Sequence, residues 1–231
     1  MATIPIPIKP AAEACAPARS LWQRQRWLIL RRSSQLLILL AFLSGPWFGL
    51  WIAKGNLSSS LTLGVLPLTD PLLLLQTLAT GHVPYSAALT GAAIVLVFYL
   101  LFGGRIFCSW VCPVNVVTDA AAWSRRRLGI KTGRVPDANT RYWLLGGTLV
   151  ASALTGALAW EWVNPVSLFH RALIFGMGGA MFVIGGIFLY DLLVASRGWC
   201  GHRCPVGALY GLLGKTALVR VAARNRKACD D

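Results

Sequence analysis

A chain of 231 residues could form one or two soluble domains, but 56% hydrophobic and only 13% charged residues, with a mean hydropathy of +0.61, exclude an ordinary soluble composition. The formal net charge of +14 raises nucleic acid as a partner, so the positions of the charges have to decide.

The first 32 residues mix Pro, Ala and Arg without apolar periodicity and read as a flexible basic cytoplasmic tail, with Cys15 a plain thiol. Arg31-Arg32-Ser33 faintly resembles a twin-arginine export signal. The apolar run behind it is longer than a signal-peptide core and lacks a clear small-residue cleavage site, so an uncleaved first span is expected.

A spanning helix needs ~20 apolar residues. Four runs contain no Asp, Glu, Lys or Arg: Ser33 to Ala53, about Ala87 to Gly104, Tyr142 to Trp160 and Ala172 to Tyr190. Six basic residues precede the first run, seven lie between the second and third, and seven follow the fourth. Only Lys54 and Arg171 are left for the other face, so 20 of the 22 share one side. That is the positive-inside pattern. It predicts an all-α integral membrane protein with four transmembrane helices and both termini cytoplasmic. The basic excess is a topology signal and excludes nucleic acid as the partner. The expected organisation is a tail over 1–32, a membrane domain over 33–196 with a cytoplasmic loop at 105–141, and a cytoplasmic segment over 197–231.

After Lys54 comes Asp70-Pro71-Leu-Leu-Leu-Leu-Gln-Thr-Leu-Ala-Thr-Gly-His82, apolar but too short to cross. It reads as an interfacial or re-entrant helix on the outer face, with Pro71 in its first turn. The second half has a counterpart in Asn164-Pro165-Val-Ser-Leu-Phe-His170, ninety-four residues on.

A stronger repeat carries the cysteines. Arg105-Ile-Phe-Cys108-Ser-Trp-Val-Cys112-Pro113-Val114 returns ninety-two residues later as Arg197-Gly-Trp-Cys200-Gly-His-Arg-Cys204-Pro205-Val206. The halves therefore read as two parallel repeats, which can pack about an axis along the membrane normal. Such an axis would bring four thiols together on the cytoplasmic side.

Proline favours the first position of a helix, which places Cys112 and Cys204 at helix N-termini, where the helix end and flanking arginines favour thiolate. Structural disulfides do not persist readily in a reducing compartment. Cys108, Cys112, Cys200 and Cys204 are thus candidate redox or metal-ligand thiols, with buried helix-capping thiols as the alternative. A ferredoxin run has Cys-x2-Cys steps before its Cys-x3-Cys-Pro, and each copy here has only that last step. Spacing leaves a shared cluster, redox-active dithiols and structural thiols open, with the expectation that the two pairs do not by themselves make a cluster.

Asp191 reads as an ion-pair partner of Arg197 or Arg105, with a proton relay as the alternative. Glu161, His82 and His170 fall at the outer interface, where Trp160 and Trp162 form an aromatic belt; an acid and histidines there could also accept quinol protons.

The strings Phe-Cys108-Ser-Trp-Val-Cys112-Pro-Val-Asn-Val-Val-Thr-Asp, Ala153-Leu-Thr-Gly-Ala-Leu-Ala-Trp-Glu161-Trp-Val-Asn-Pro-Val-Ser-Leu and Gly198-Trp-Cys200-Gly-His-Arg-Cys204-Pro-Val-Gly-Ala-Leu-Tyr-Gly closely resemble the NapH family. These are membrane-bound ferredoxin-type quinol dehydrogenase subunits of periplasmic nitrate reductase systems. The related ferredoxin-type protein of methylamine utilisation and, more distantly, copper-reducing assembly factors of cytochrome oxidase share the Cys-x3-Cys-Pro theme. The resemblance implies oxidation of ubiquinol or menaquinol and delivery of electrons to a periplasmic iron–sulfur subunit or multihaem c-type cytochrome. It also implies a C-terminal domain with [4Fe–4S] clusters, whose first cysteine ligand Cys229 matches. The other ligands of that run are expected to be missing, because this sequence stops two residues later. A membrane assembly or copper-handling thiol protein is the alternative.

Overall fold

The computed structural model describes residues 21–130, 133, 137, 139–176 and 178–218; Cys15 and Cys229 lie outside them. The chain opens with α1 (Leu21–Phe48), followed by three short antiparallel strands, β1 (Ala53–Gly55), β2 (Ser59–Thr62) and β3 (Leu66–Thr69), in the order β1-β2-β3. Next come α2 (Pro71–Ala79), α3 (Ser86–Phe102), a first π-turn (Phe107–Val111) and α4 (Val114–Arg127). The second half repeats this order without a sheet: α5 (Thr140–Thr155), α6 (Pro165–Phe175), α7 (Ala180–Leu193), a second π-turn (Trp199–Arg203) and α8 (Pro205–Thr216).

Three sequence expectations need correction. The tail is not irregular throughout, since α1 begins at Leu21, inside it. The chain is not purely helical, because the Ser- and Thr-bearing segment after Lys54 pairs into the sheet, Leu63 and Gly64 turning at positive φ between β2 and β3. The uncharged run Ala172 to Tyr190 is not one helix: Gly176, at φ +98°, ends α6, and α7 starts only after Gly178 and Gly179. A left-handed glycine satisfies a helix end at little steric cost, so the run divides there.

Both Asx-Pro pairs open helices as the sequence predicts. Asp70 Oδ1 accepts from Leu72 N at 3.0 Å, and Asn164 Oδ1 accepts from Val166 N at 3.1 Å. Proline at the first position, which loses nothing by lacking N–H, completes each start.

Packing crosses between the halves. α4 lies on α7 and α8 on α3; α2 lies against α5 and α6 against α1. The α3–α8 approach is very close: a Cβ at Gly104 would stand 1.9 Å from the Tyr210 carbonyl oxygen. Leu72, Tyr99, Leu145, Trp160, Val206 and Tyr210 form the main core cluster, and Val114, Val166 and Ile187 a second. Among the described residues one helix stretch, Gln25–Phe48, is long and apolar enough to cross a membrane by itself, while α3, α6 and α7 are apolar but shorter.

Candidate functional site

Each cysteine motif turns as a π-helix. The Cys112 N–H donates to the Phe107 carbonyl at 2.9 Å and the Cys204 N–H to the Trp199 carbonyl at 3.0 Å, both five residues back. Cys112 and Cys204 themselves are extended, at φ/ψ of −67°/117° and −76°/116°, which suits a residue before proline. A widened turn followed by an extended residue directs the backbone sharply into the next helix. Cys204 is the N-cap residue of α8, and Cys112 stands one residue before the cap of α4.

Neighbouring elements pin the turns. From α1, Gln35 Nε2 donates to the carbonyls of Ser109 (3.2 Å) and Cys112 (3.1 Å), and Ser34 Oγ to that of Trp110 at 3.1 Å. From α7, the fully buried Asp191 accepts at Oδ1 from Trp199 N at 2.9 Å. The expected pairing of Asp191 with an arginine is therefore overturned. Arg197 instead joins Arg31 and Arg32 around Asp119, with Arg197 at 2.9 Å and Arg31 at 3.0 Å. Asp191 sits too deep for a solvated guanidinium, whereas the half-buried Asp119 is within reach of three.

Cys108, Cys112, Cys200 and Cys204 are all free thiols and all line one apolar cavity, walled by Phe107, Trp199, Val114, Val166 and Val206. The same cavity touches Asn164 and Pro165, the start of the helix that the sequence assigns to the outer face. Among the described residues no three His, Cys, Asp or Glu converge on a single ion. Burial pushes all four thiols up, Cys204 to about 12, and the Arg105 charge opposes this at Cys108 without winning. The expectation of thiolates favoured by helix ends and arginines is thus overturned, because desolvation outweighs both. The thiols also raise one another, which marks them as mutual neighbours: Cys112 feels Cys200, Cys108 and Cys204.

Four cysteines and no other ionisable side chain on the wall make a donor set suited to an iron–sulfur cluster, which spreads its thiolates over several irons. A single ion is not what this arrangement fits.

The other sequence candidates scatter. His82 is exposed, facing Thr80 Oγ1 at 3.2 Å. His170 is buried with Phe42 edge-on at 5.9 Å, and the half-buried Glu161 accepts from Asn164 Nδ2 (2.9 Å) and Ser167 Oγ (2.8 Å).

The family model described as "4Fe-4S binding domain" matches residues 87–131 and 175–227, the two segments that contain the cysteine motifs. The methylamine utilization ferredoxin-type protein MauN of Methylorubrum extorquens is 56% identical over 212 residues, covering 92% of this chain and 74% of that protein. The ferredoxin-type protein NapH of Escherichia coli is 55% identical over 209 residues, covering 90% and 73%. This chain belongs to the NapH/MauN family of ferredoxin-type proteins. More distant is the putative electron transport protein YccM of Escherichia coli, 25% identical over 224 residues, covering 87% and 62%. No solved structure matches the chain. For this NapH/MauN-type protein the sequence missed one feature: a second cavity, beside the thiols, with Asp70 and Tyr210 on its wall. The Asx-Pro signal marked Asp70 only as a cap, and nothing local ties it to a tyrosine 140 residues away.

Proposed function

We propose that the chain is a multi-pass inner-membrane component that passes electrons from quinol, by way of the four motif cysteines, toward a periplasmic iron–sulfur or multihaem cytochrome partner. The observation that carries it is the meeting of Cys108, Cys112, Cys200 and Cys204 in one apolar cavity. An iron–sulfur cluster held there would supply one-electron redox chemistry. The chain's own part is to present four thiols, exclude water with Phe107 and Trp199, and fix the turns through Gln35 and Asp191.

Membrane residence is supported by the exterior. Phe182, Leu154 and Phe175 are each more than 80% exposed, and α1 carries an outward face of Leu36, Leu37 and Leu40. Such apolar exposure suits lipid. Four spans in two parallel repeats, with both termini cytoplasmic, remain the topology that the charge partition supports. Asn164 and Pro165 on the wall of the thiol cavity bear on how electrons cross, since they bring a segment read as outer up to the inner motifs.

The system served separates two versions of this reading. Nitrate respiration follows from the NapH likeness and methylamine utilisation from the MauN likeness, and the identities, 55% and 56%, do not choose. Anaerobic purification with iron and sulfide analysis tests the core of the proposal. Stoichiometric iron and sulfide with a quinol-reducible spectrum, both lost in a Cys112→Ser, Cys204→Ser double variant, is the expected result; iron-free protein that still delivers electrons would sink it.

A further inference from the structure

A cavity of about 330 Å³ lies beside the thiol cavity, and Phe107 belongs to the walls of both. Its sides are apolar, with Ile38 and Phe42 from α1, Val95 from α3 and Val111 from the first π-turn. Ile52, 43% exposed, stands at its margin, next to the exposed Trp51 and Leu50, so the opening faces the apolar exterior. Its polar groups are Asp70, Tyr210, Tyr99 and the hydroxyl residues Ser60, Thr62 and Thr69, and Asp70 is the one carboxylate among them. The lining includes no Lys or Arg, so nothing there would hold a phosphate or another anion.

Asp70 is incompletely used by the fold. Leu72 N and the Tyr210 hydroxyl both donate to Oδ1, at 3.0 and 3.1 Å, and among the described residues nothing donates to Oδ2. A large apolar pocket with one spare carboxylate oxygen is the usual anatomy of a site for a small apolar ligand that carries a hydrogen-bond donor. From this arrangement we infer that the cavity binds the ring of a membrane quinol, with one ring hydroxyl donating to Asp70 Oδ2, the ring against Phe107 and the tail leaving past Ile52. The inference rests on the proposed quinol-linked function and names the residues of its substrate site. A neutral ring with a hydroxyl matches a wall that offers an acceptor and no cation. The shared Phe107 sets the ring's cavity against the thiol cavity that Cys108 lines.

The test is a direct binding measurement on the full chain in detergent, using a photoreactive azido-ubiquinol kept reduced under anaerobic conditions, with decylubiquinol as competitor and mass spectrometry to map the cross-links. Labelling of peptides containing Phe42, Phe107 or Val111, competed by decylubiquinol, is expected. Asp70→Asn keeps the helix cap, as Asn164 does in the other half, and should weaken competition by about tenfold through loss of the charged acceptor. Ala41→Trp fills the cavity and should abolish labelling; Val95→Trp repeats the test from α3, with unchanged thermal unfolding as the check on folding. Cys112→Ser should leave labelling intact. Labelling that is absent, that maps to the Glu161–His170 end, or that ignores all three cavity variants overturns the inference, and electron delivery to the thiols would still stand or fall separately. Labelling as expected in protein that passes no electrons would remove the proposed function and leave the site.

Discussion

Tyr210 donates its hydroxyl to Asp70 Oδ1 at 3.1 Å, joining the cap of α2 in the first half to α8, the helix that follows the second cysteine motif. The sequence assigns those two residues to opposite faces of the membrane. In that topology their contact would require α2 to reach inward, α8 to reach outward, or both; in the structure it ties the two motif-bearing halves to one another. Tyr210 is only 1% exposed and packs against Tyr99 at 4.7 Å between ring centroids. Removing the hydroxyl therefore costs a hydrogen bond to a carboxylate without opening a large void. Tyr210→Phe should lower stability by about 1–2 kcal/mol in thermal unfolding, and an unchanged midpoint would mean that the bond is not formed.

The Asp70 carboxyl is pushed up from 3.8 to about 6, first by burial, with Leu72 N and Tyr210 pulling back. The folded state then holds a proton that the unfolded chain has already released, so stability falls as pH rises from about 4 to about 6. The span corresponds to about 3 kcal/mol at most. Unfolding midpoints of the wild type and Asp70→Asn, compared across that window, should converge at low pH and separate above it, with the variant the more stable. Parallel curves would show that Asp70 titrates normally.

Gly104 has no room for a side chain, since a Cβ there would meet the Tyr210 carbonyl at 1.9 Å, whereas a Cβ at Gly147 meets nothing within 4 Å. Gly104→Ala should destabilise by about 3 kcal/mol or more through displacement of α8. Gly147→Ala should be neutral or slightly stabilising, because alanine is the better helix former. Equal effects of the two substitutions would refute the α3–α8 approach.

Asp119 pairs with Arg31, Arg32 and Arg197, and its side chain is 17% exposed. Asp119→Asn leaves three guanidiniums facing one another. A loss of about 1–2 kcal/mol, partly recovered in high salt, is expected from unfolding at two ionic strengths. A loss insensitive to salt would assign Asp119 a packing role instead.

How much of this was legible beforehand follows from the range of each signal. The Cys-x3-Cys-Pro repeat and the Asx-Pro caps are local, and local chemistry acts on them directly: proline fixes φ, and Asp and Asn cap. The sequence by itself therefore determined where α2, α6 and α8 start, that four thiols come in two equivalent pairs, and the family to which they belong. It could not determine what those groups meet. Asp191 was assigned to an arginine and caps Trp199 instead, because burial of a carboxylate depends on how α7 packs. The thiols were expected to favour thiolate, whereas burial pushes them up, because desolvation comes from Phe107, Trp199 and the other walls of a cavity that neither repeat builds alone. Asp70 and Tyr210 are 140 residues apart, and no periodicity of 3.6 or 2 carries information over that distance; only the crossing of α2 and α8 between the halves brings the carboxylate and the phenol to one wall.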